Sequence, residues 1–241
     1  MRRTAPFHEF APLTIGAEDR VFVLTGAGIS AESGIRTFRD AGGLWKQYRF
    51  EELASPEAWE RHPEVVWQFY SERRAQAATC APNAAHRALA ALERSIEERF
   101  FLCTQNVDDL HEKAGSSRLL HMHGELMKSR CEACTLRPFD DAVAHASVPL
   151  CTCGAKVRPH IVWFGEVPFG LERVARELAA CTVFVTVGSS GAVYPAAGFV
   201  ASVRGRARCV YVGPEAPENA GAFDECRLGR ATEVVPTLFA P

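Results

Sequence analysis

An apolar run followed at once by a glycine-rich turn is the feature that most constrains this chain. Residues 21–24 read VFVL, and residues 25–39 continue with TGAGISAESGIRTFR. This order predicts a buried strand, a tight turn and the start of a helix. Glycines let backbone N–H groups face an anion, and the positive end of a helix dipole adds to the attraction. The natural guest is a pyrophosphate, although Gly-Ala-Gly alone also suits a tight turn in any α/β protein.

The spacing of the glycines narrows the kind of nucleotide site. Gly26, Gly28 and Gly34 do not follow the G-x-G-x-x-G pattern of dehydrogenases. No acidic residue is placed at a strand end about 20 positions further on, where it would hold a ribose. The pattern therefore favours a nucleotide site and argues against hydride transfer.

Length and charge limit the classes of partner. A chain of 241 residues can bury a full core, and a formal net charge of -2 gives no general attraction to nucleic acid or membrane. No apolar run approaches the roughly 20 residues of a membrane span, and residues 1–3 lead into no signal-peptide core. We expect a cytoplasmic protein that binds neither nucleic acid nor membrane. The oligomeric state stays open, and a monomer is compatible with the sequence.

Four of the nine cysteines are close together in the sequence. Cys131 and Cys134 form one pair, and Cys151 and Cys153 follow after sixteen intervening residues. Two such pairs can present four thiolates tetrahedrally, which suits one structural zinc ion, whereas incidental thiols are the alternative. With no open coordination position or His-Glu arrangement, the metal should not activate water. The other five are expected to be small core residues: Cys80, Cys103, Cys181, Cys209 and Cys226.

Strands that alternate with helices predict a doubly wound parallel sheet of the Rossmann type. The expected strands include residues 21–24, 100–104, 182–187 and 208–212, and the expected helices begin at Ser55, His62, Asn83 and Leu171. We expect one catalytic unit spanning 1–241, with residues 1–19 as a surface arm. The large domain comprises approximately residues 15–40, 80–125 and 160–241. The smaller domain is formed by insertions at approximately 41–79, which is helical, and 126–159, which binds zinc.

Further short motifs follow the glycine turn in a specific order. They are TQNVD at 104–108, HMHGE at 121–125, VWFGE at 162–166 and VGSS at 187–190. Together with residues 25–39, this series resembles the signature of the sirtuins, the NAD-dependent protein deacylases. The resemblance implies a Rossmann-like domain with a zinc-binding insertion, NAD as co-substrate, and acylated lysines of proteins as partners. One departure is the second cysteine pair, which is Cys-x-Cys here and usually Cys-x-x-Cys in the family.

The resemblance also implies a reaction and a catalytic base. The carbonyl oxygen of the acyl-lysine attacks C1' of the nicotinamide ribose as nicotinamide leaves, and the products are O-acyl-ADP-ribose and free lysine. The family's catalytic histidine matches His123, whose ordinary pKa near 6.5 suits proton transfer near neutral pH. His121 and His145 are expected to be structural.

Cofactor contacts are expected mainly at the turn and at the ends of strands. Asn106 and Asp108 have the donors and acceptors that a nicotinamide carboxamide needs, although capping of a strand-helix junction is an alternative role. Trp45 is either part of a loop that closes over the cofactor or ordinary core. At Gly213 the family commonly has asparagine. The expected set is Gly26, Ala27, Gly28, Ser30, Ile35, Thr37, Phe38, Arg39, Trp45, Gln105, Asn106, Val107, Asp108, Gly188, Ser189, Ser190, Gly213 and Ala231.

Two groups of residues are expected to contact the acylated peptide. Val162, Phe164 and Gly165 would supply a strand edge to which the peptide adds. Tyr70 and Arg73, three apart on a predicted helix, share one face and could bind the carboxylate of a dicarboxylic acyl chain. A surface helix with these residues by chance is the alternative. The desuccinylase and demalonylase subgroup of sirtuins has this Tyr-x-x-Arg pair, and Ala54 matches the small residue that leaves its acyl pocket roomy.

Two other classes of protein remain open at this stage. A module that only binds NAD or ADP-ribose would need the glycine turn but not His123, Asn106 and Asp108. A zinc-ribbon protein that binds nucleic acid would need a basic face, which the near-neutral charge does not supply.

Overall fold

A computed structural model describes residues 10–35, 44–45 and 48–239, without the side chains of residues 44, 45 and 51. The strands are β1 Val21–Thr25, β2 Leu44–Trp45, β3 Tyr48–Arg49, β4 Phe100–Thr104, β5 Leu119–His121, β6 Gly124–Cys131, β7 Phe139–Asp140, β8 Val157–Ile161, β9 Val183–Val187, β10 Arg208–Gly213 and β11 Glu225–Leu228. The α-helices are α1 Phe50–Leu53, α2 Pro56–Arg61, α3 Pro63–Ala78, α4 Ala84–Ile96, α5 Leu110–Lys113, α6 Leu171–Ala180, α7 Phe199–Val203 and α8 Ala231–Leu238. In this part of the chain no helix has both the length and the apolar character needed to cross a membrane.

The main sheet has six parallel strands in the order β11-β10-β9-β1-β4-β5. From β1 the chain builds outward through β4 and β5, and it then returns to add β9, β10 and β11 on the other side. This is the predicted doubly wound topology, and its order reverses beside β1. Ligands of such sheets bind at the carboxyl ends of the strands near this reversal.

Alternate residues of β1 pack on opposite faces of the sheet. Val21 and Val23 belong to one buried cluster, and Phe22 and Leu24 belong to the other. Side chains alternate along a strand, so an uninterrupted apolar run is the sequence of a strand covered on both faces. The cores on both sides hold the carboxyl end of β1 rigidly in the middle of the sheet.

The expected helix starts are confirmed where capping residues predicted them. The Ser55 side chain accepts a hydrogen bond from the N–H of Ala58 at 3.2 Å, at the start of α2. The Asn83 side chain accepts from the N–H of Ala85 at 2.9 Å, at the start of α4. Such caps pair backbone donors that have no partner within the helix.

A third hydrophobic cluster joins the two stretches that interrupt the main sheet. Trp67 and Phe69 on α3 pack in one buried group with Leu126 on β6 and with Trp163. Strands β7, β6 and β8 form a three-stranded antiparallel sheet beside them. The buried Arg74 side chain ties α3 to this sheet, since its Nε donates to the carbonyl of Leu126 at 2.8 Å.

Three expectations about the fold need correction. Leu13 lies in the segment expected to be a surface arm, but it is buried, and its N–H donates to the carbonyl of Leu238. Residues 1–9 lie outside the described residues. After β1 the described chain forms two short 3-10 helices, Ala27–Ile29 and Ala31–Ser33, rather than the start of an α-helix. Cys80 and Cys226 are half-buried, whereas Cys103, Cys181 and Cys209 are core residues as expected.

Candidate active site

A large cleft lies at the carboxyl ends of the central strands. It encloses about 1180 Å³, and its walls come from the turn after β1, the segments after β4 and β9, helix α3 and residues 161–166. The main sheet therefore contributes one side of the cleft, and the cluster around α3 contributes the other. Most of the expected site residues that the structure describes line it.

The glycines after β1 allow a close approach of two loops. A Cβ on Gly28 would lie 2.8 Å from the Cα of Gly188, and a Cβ on Gly26 would lie 2.9 Å from the Gly188 carbonyl oxygen. The N–H of Gly26 donates to the Val187 carbonyl, and the N–H of Gly28 donates to that of Gly188. These two N–H groups therefore join the turn to the end of β9, and neither of them faces the cleft as an anion donor.

Asn106 and Asp108 are two residues apart in the sequence, and both line the cleft. They are 7% and 4% exposed. The Asn106 side-chain amide donates to the Gly26 carbonyl and to Ser30 Oγ, each at 3.2 Å, so its orientation is fixed. Burial raises the pKa of Asp108, although the N–H of Leu110, 3.2 Å from its Oδ1, opposes the shift. Asp108 thus makes the capping contact that was the alternative to a role in cofactor binding, and it also lines the cleft.

His123 is held in one orientation by the main chain. Its Nδ1 lies 3.1 Å from the carbonyl oxygen of Gln105. A carbonyl can only accept, so Nδ1 carries the proton and Nε2 keeps its lone pair. Burial lowers the pKa of His123, and the bond to Gln105 opposes this shift. The residue lines the cleft as a neutral imidazole that can accept a proton.

His121 was expected to be structural, and it makes a defined contact beneath the cleft. Its Nδ1 lies 2.8 Å from the Asn106 carbonyl oxygen, and its Nε2 lies 2.7 Å from Glu112 Oε1. Burial alone would lower the pKa of His121, but the hydrogen bond and charge of Glu112 outweigh it and raise the pKa. The pair anchors the main chain of Asn106, a role that no local sequence signal indicates.

A layer of buried hydroxyl and imidazole groups supports the same segment. Thr25 Oγ1 donates to Thr104 Oγ1 at 2.8 Å and lies 3.0 Å from His111 Nε2. Thr104 Oγ1 in turn accepts from the N–H of Asn106 at 3.0 Å. The sequence does not predict this layer, because its residues lie on three separate elements, β1, β4 and α5.

Tyr70, Arg73 and Ala54 line the cleft together. Tyr70 is 3% exposed, and the indole N–H of Trp163 donates to its hydroxyl oxygen at 3.0 Å. The Arg73 guanidinium lies 5.6 Å from the centre of the Phe69 ring. Burial lowers the pKa of Arg73, while the nearby Tyr70 and Asp108 raise it. An arginine stays charged under all ordinary conditions, so this end of the cleft offers a cation.

The segment after β8 does not form the expected strand edge. The strand ends at Ile161, and residues 164–165 form a turn. The N–H of Val162 donates to the His123 carbonyl, and the N–H of Phe164 donates to the Ala54 carbonyl. These two donors are therefore already paired within the chain. Gly165 lines the cleft with a positive φ of 91°.

Six of the expected cofactor residues either do not line the cleft or have side chains outside the described part of the chain. Ser30 is fully buried behind Asn106 rather than in the lining. Gly213 does not line the cleft, whereas Tyr211 does. The Tyr211 ring packs against Gly213 so closely that a Cβ on the glycine would lie 2.7 Å from the tyrosine Cζ. Thr37, Phe38 and Arg39 lie outside the described residues, as does the Trp45 side chain. The expected residues found in the lining are Gly26, Ala27, Gly28, Ile35, Gln105, Asn106, Val107, Asp108, Gly188, Ser189, Ser190 and Ala231.

The four clustered cysteines come together as the spacing predicted. Their Sγ atoms lie within 4.8 Å of one another, with Cys131 and Cys153 at 3.5 Å and Cys134 and Cys151 at 3.6 Å. Tetrahedral zinc with Zn–S bonds of roughly 2.3 Å needs sulfurs roughly 3.8 Å apart, so the cluster fits this ion. The N–H groups of Cys134 and Ala133 point at the Cys131 sulfur and lower the pKa of its thiol to about 6. The Cys-x-Cys pair thus completes the site despite its shorter spacing.

The fold and the site define a nucleotide-binding enzyme cleft of the Rossmann type, with a buried amide, carboxyl and imidazole at the strand ends. The chain belongs to the Sir2 family, whose model matches residues 26–195. It is 50% identical over 224 residues to a protein of Caulobacter vibrioides named NAD-dependent protein deacylase, covering 90% of this chain and 94% of that protein.

Solved structures agree with this assignment. A Sir2 homologue in complex with NAD superposes with a TM-score of 0.85 at 39% identity, covering 96% of this chain and 95% of that one. A mutant Sir2 homologue in complex with 2'-O-acetyl ADP ribose also gives 0.85, at 40% identity, with 92% and 91% covered. These two complexes contain the nucleotide and an acylated product that a deacylase of this family would bind and form.

Proposed function

We propose that this protein removes acyl groups from protein lysines in an NAD-dependent reaction, and that it acts on succinyl and malonyl groups as well as acetyl. Membership of the Sir2 family and the relative named as a deacylase support the first part. The position of Tyr70 and Arg73 in the cleft supports the second.

NAD, when bound, supplies a ribose carbon that loses nicotinamide and takes the acyl oxygen. The residues at the carboxyl ends of β4 and β9 fit that cofactor. Asn106 offers a fixed amide and Asp108 a carboxyl group, which together match the donors and acceptors of a carboxamide. Ser189 and Ser190 line the cleft at the end of β9, where hydroxyls can bind a ribose.

His123 is the base in this proposal. Its Nδ1–H is held by the Gln105 carbonyl, so Nε2 is the nitrogen that accepts a proton from a ribose hydroxyl. The lowered pKa keeps the imidazole neutral at physiological pH and ready for that transfer. Residues 162–165 line the cleft next to His123, and this position supports a role in contacting the peptide.

The observation that carries the acyl specificity is a cation and a phenol on one wall of the cleft. Tyr70 and Arg73 lie one turn apart on α3, and both side chains line the cleft. Burial raises the pKa of Tyr70 to about 12, so its hydroxyl keeps its proton. A carboxylate at the end of an acyl chain could accept from the Tyr70 hydroxyl and from the Arg73 guanidinium together. The small side chain of Ala54 leaves space beside them.

The decisive test is mass analysis of acetyl-, malonyl- and succinyl-lysine peptides incubated with and without NAD. We expect succinyl-lysine to be removed at least as efficiently as acetyl-lysine, with release of nicotinamide. A charged hydrogen bond contributes roughly 1.5–3 kcal/mol, so Arg73→Met should lower succinyl kcat/KM by at least about tenfold and acetyl kcat/KM by no more than a few fold. Arg61→Met, at an exposed position on α2, is the matched control.

Other outcomes have defined meanings. Equal losses on both peptides would show that Arg73 supports the fold rather than the acyl group. Binding of NAD without nicotinamide release on any acyl peptide would favour the module that only binds the nucleotide.

Two organisational features belong to the same proposal. We place the smaller domain at approximately residues 41–79 and 126–159, and the cluster shared by α3 and β6 supports this division. We place the protein in the cytoplasm, which suits nine cysteines without a disulfide.

A further inference from the structure

Tyr70 is held from behind by a tryptophan. The indole Nε1 of Trp163 donates to the Tyr70 hydroxyl oxygen at 3.0 Å, across 93 residues of sequence. Trp163 is 2% exposed, so solvent does not compete effectively for this bond. Both residues line the cleft, where Trp163 adjoins the turn at 164–165.

This bond restricts where the phenolic proton can point. A phenol places its hydroxyl hydrogen close to the ring plane, on one of two sides of the oxygen. The Trp163 N–H approaches the oxygen and occupies one acceptor direction, so the Tyr70 O–H is directed away from the indole. Donation into a hydroxyl oxygen also polarises its O–H and strengthens it as a donor.

The indole is itself fixed. The Arg158 guanidinium carbon lies 3.3 Å from the centre of the Trp163 ring, and the Arg158 nitrogens donate to the Glu166 carboxylate at 2.7 and 3.0 Å. The same carboxylate accepts from the Trp163 N–H of the main chain at 2.8 Å. Burial alone would raise the pKa of Glu166, but Arg158 and this main-chain donor lower it, so the carboxylate stays charged. Glu166 therefore holds both Trp163 and the cation stacked on it.

We propose that Trp163 is a positioning residue for acyl selection, which acts by aiming the Tyr70 hydroxyl at the terminal carboxylate of a dicarboxylic acyl chain. This inference rests on the proposed function. Arg158 and Glu166 assist by preventing rotation of the indole. An acetyl group has no terminal carboxylate, so it gains nothing from this arrangement.

The test compares the ratio of succinyl to acetyl kcat/KM in matched variants. Trp163→Phe keeps an aromatic ring and removes the N–H, and one neutral hydrogen bond corresponds to roughly a three- to tenfold fall in that ratio. Trp67→Phe removes another buried indole N–H, which donates to the Val157 carbonyl at 3.0 Å, and should leave the ratio unchanged. Replacement of Trp163 by benzothienylalanine, which has nearly the shape of tryptophan but no N–H, serves if the phenylalanine variant folds poorly.

A double-mutant cycle separates positioning from simple support. If Trp163 acts through Tyr70, the ratio for Tyr70→Phe/Trp163→Phe should equal that for Tyr70→Phe alone. An unchanged ratio in the Trp163 variants, or independent losses that multiply, would overturn the inference. If Tyr70→Phe and Arg73→Met still reduce succinyl turnover, the proposed function survives that failure. If the wild-type protein does not remove succinyl groups, the proposed function itself fails.

Discussion

The Nδ1 nitrogen of His123 lies 3.1 Å from the main-chain carbonyl oxygen of Gln105. The carbonyl has no proton to give, so this contact fixes the tautomer of the imidazole and leaves Nε2 as the basic nitrogen. Gln105 follows directly after β4, and the carboxyl end of that strand thereby orients the imidazole of His123.

Replacement of His123 by alanine should remove the base while leaving the cleft intact. We expect turnover of the acyl peptide to fall by roughly 10²-fold or more, the usual scale for loss of a general base. Binding of NAD, measured by calorimetry, should change little. His62→Ala, at an exposed position, is the control. Near-normal turnover in the His123 variant would assign the base elsewhere.

The pH dependence of turnover should report the lowered pKa of His123. Burial disfavours the imidazolium, so the pKa lies below the usual 6.5, and the neutral form predominates at neutral pH. We expect kcat/KM to be level near pH 7 and to fall as pH decreases, with an apparent pKa below 6.5 on the acid limb. An acid limb centred above pH 7 would contradict this assignment.

The cysteine cluster should hold one zinc ion per chain by elemental analysis. Cys131→Ser removes a thiolate that two N–H groups already stabilise, so bound zinc and the midpoint of thermal unfolding should both fall. Cys80→Ser, at a half-buried position outside the cluster, should retain the metal. A metal-free wild-type protein of undiminished stability would show that the cysteines are incidental.

The contact between the two loops should depend on the absence of a side chain at Gly188. A Cβ there would lie 2.7 Å from the main-chain carbon of Gly28, at a φ of +66°. Gly205 has a comparable φ of +78° with nothing within 4 Å, so Gly205→Ala measures backbone strain alone. We expect Gly188→Ala to lower the free energy of unfolding by roughly 1–3 kcal/mol more than Gly205→Ala, and to weaken NAD binding. Equal losses in chemical denaturation would refute the close-contact explanation.

Several elements could be predicted because their signals are local. Ser55 and Asn83 mark helix starts, and they pair donors only two or three residues away. The apolar run at β1 predicts a strand buried on both faces, which the two hydrophobic clusters confirm. The spacing of the four cysteines predicted a cluster, because ligand pairs on short turns need little help from the rest of the chain.

Other features could not be predicted from the sequence, because they depend on contacts between distant segments. The glycines after β1 predicted a turn that could face an anion, but the sequence did not show that Gly28 is also required by the approach of Gly188, which follows β9. Ser30 was expected to contact the cofactor, but its hydroxyl oxygen accepts a hydrogen bond from the Asn106 side-chain amide. The motif at 162–166 resembles a strand edge in sequence, whereas the N–H groups of Val162 and Phe164 are paired with the carbonyls of His123 and Ala54.

The sequence by itself determined the doubly wound sheet, the zinc-type cysteine cluster and the residue types of the cleft, because periodicity, capping and ligand spacing act within a few residues. Tertiary structure alone decided what each of those residues contacts. Trp163 reaches Tyr70 across 93 residues, and Thr25 reaches His111 across 86. Such bonds depend on how separate elements pack, and burial from several sides at once sets both their geometry and the pKa values of the groups they hold.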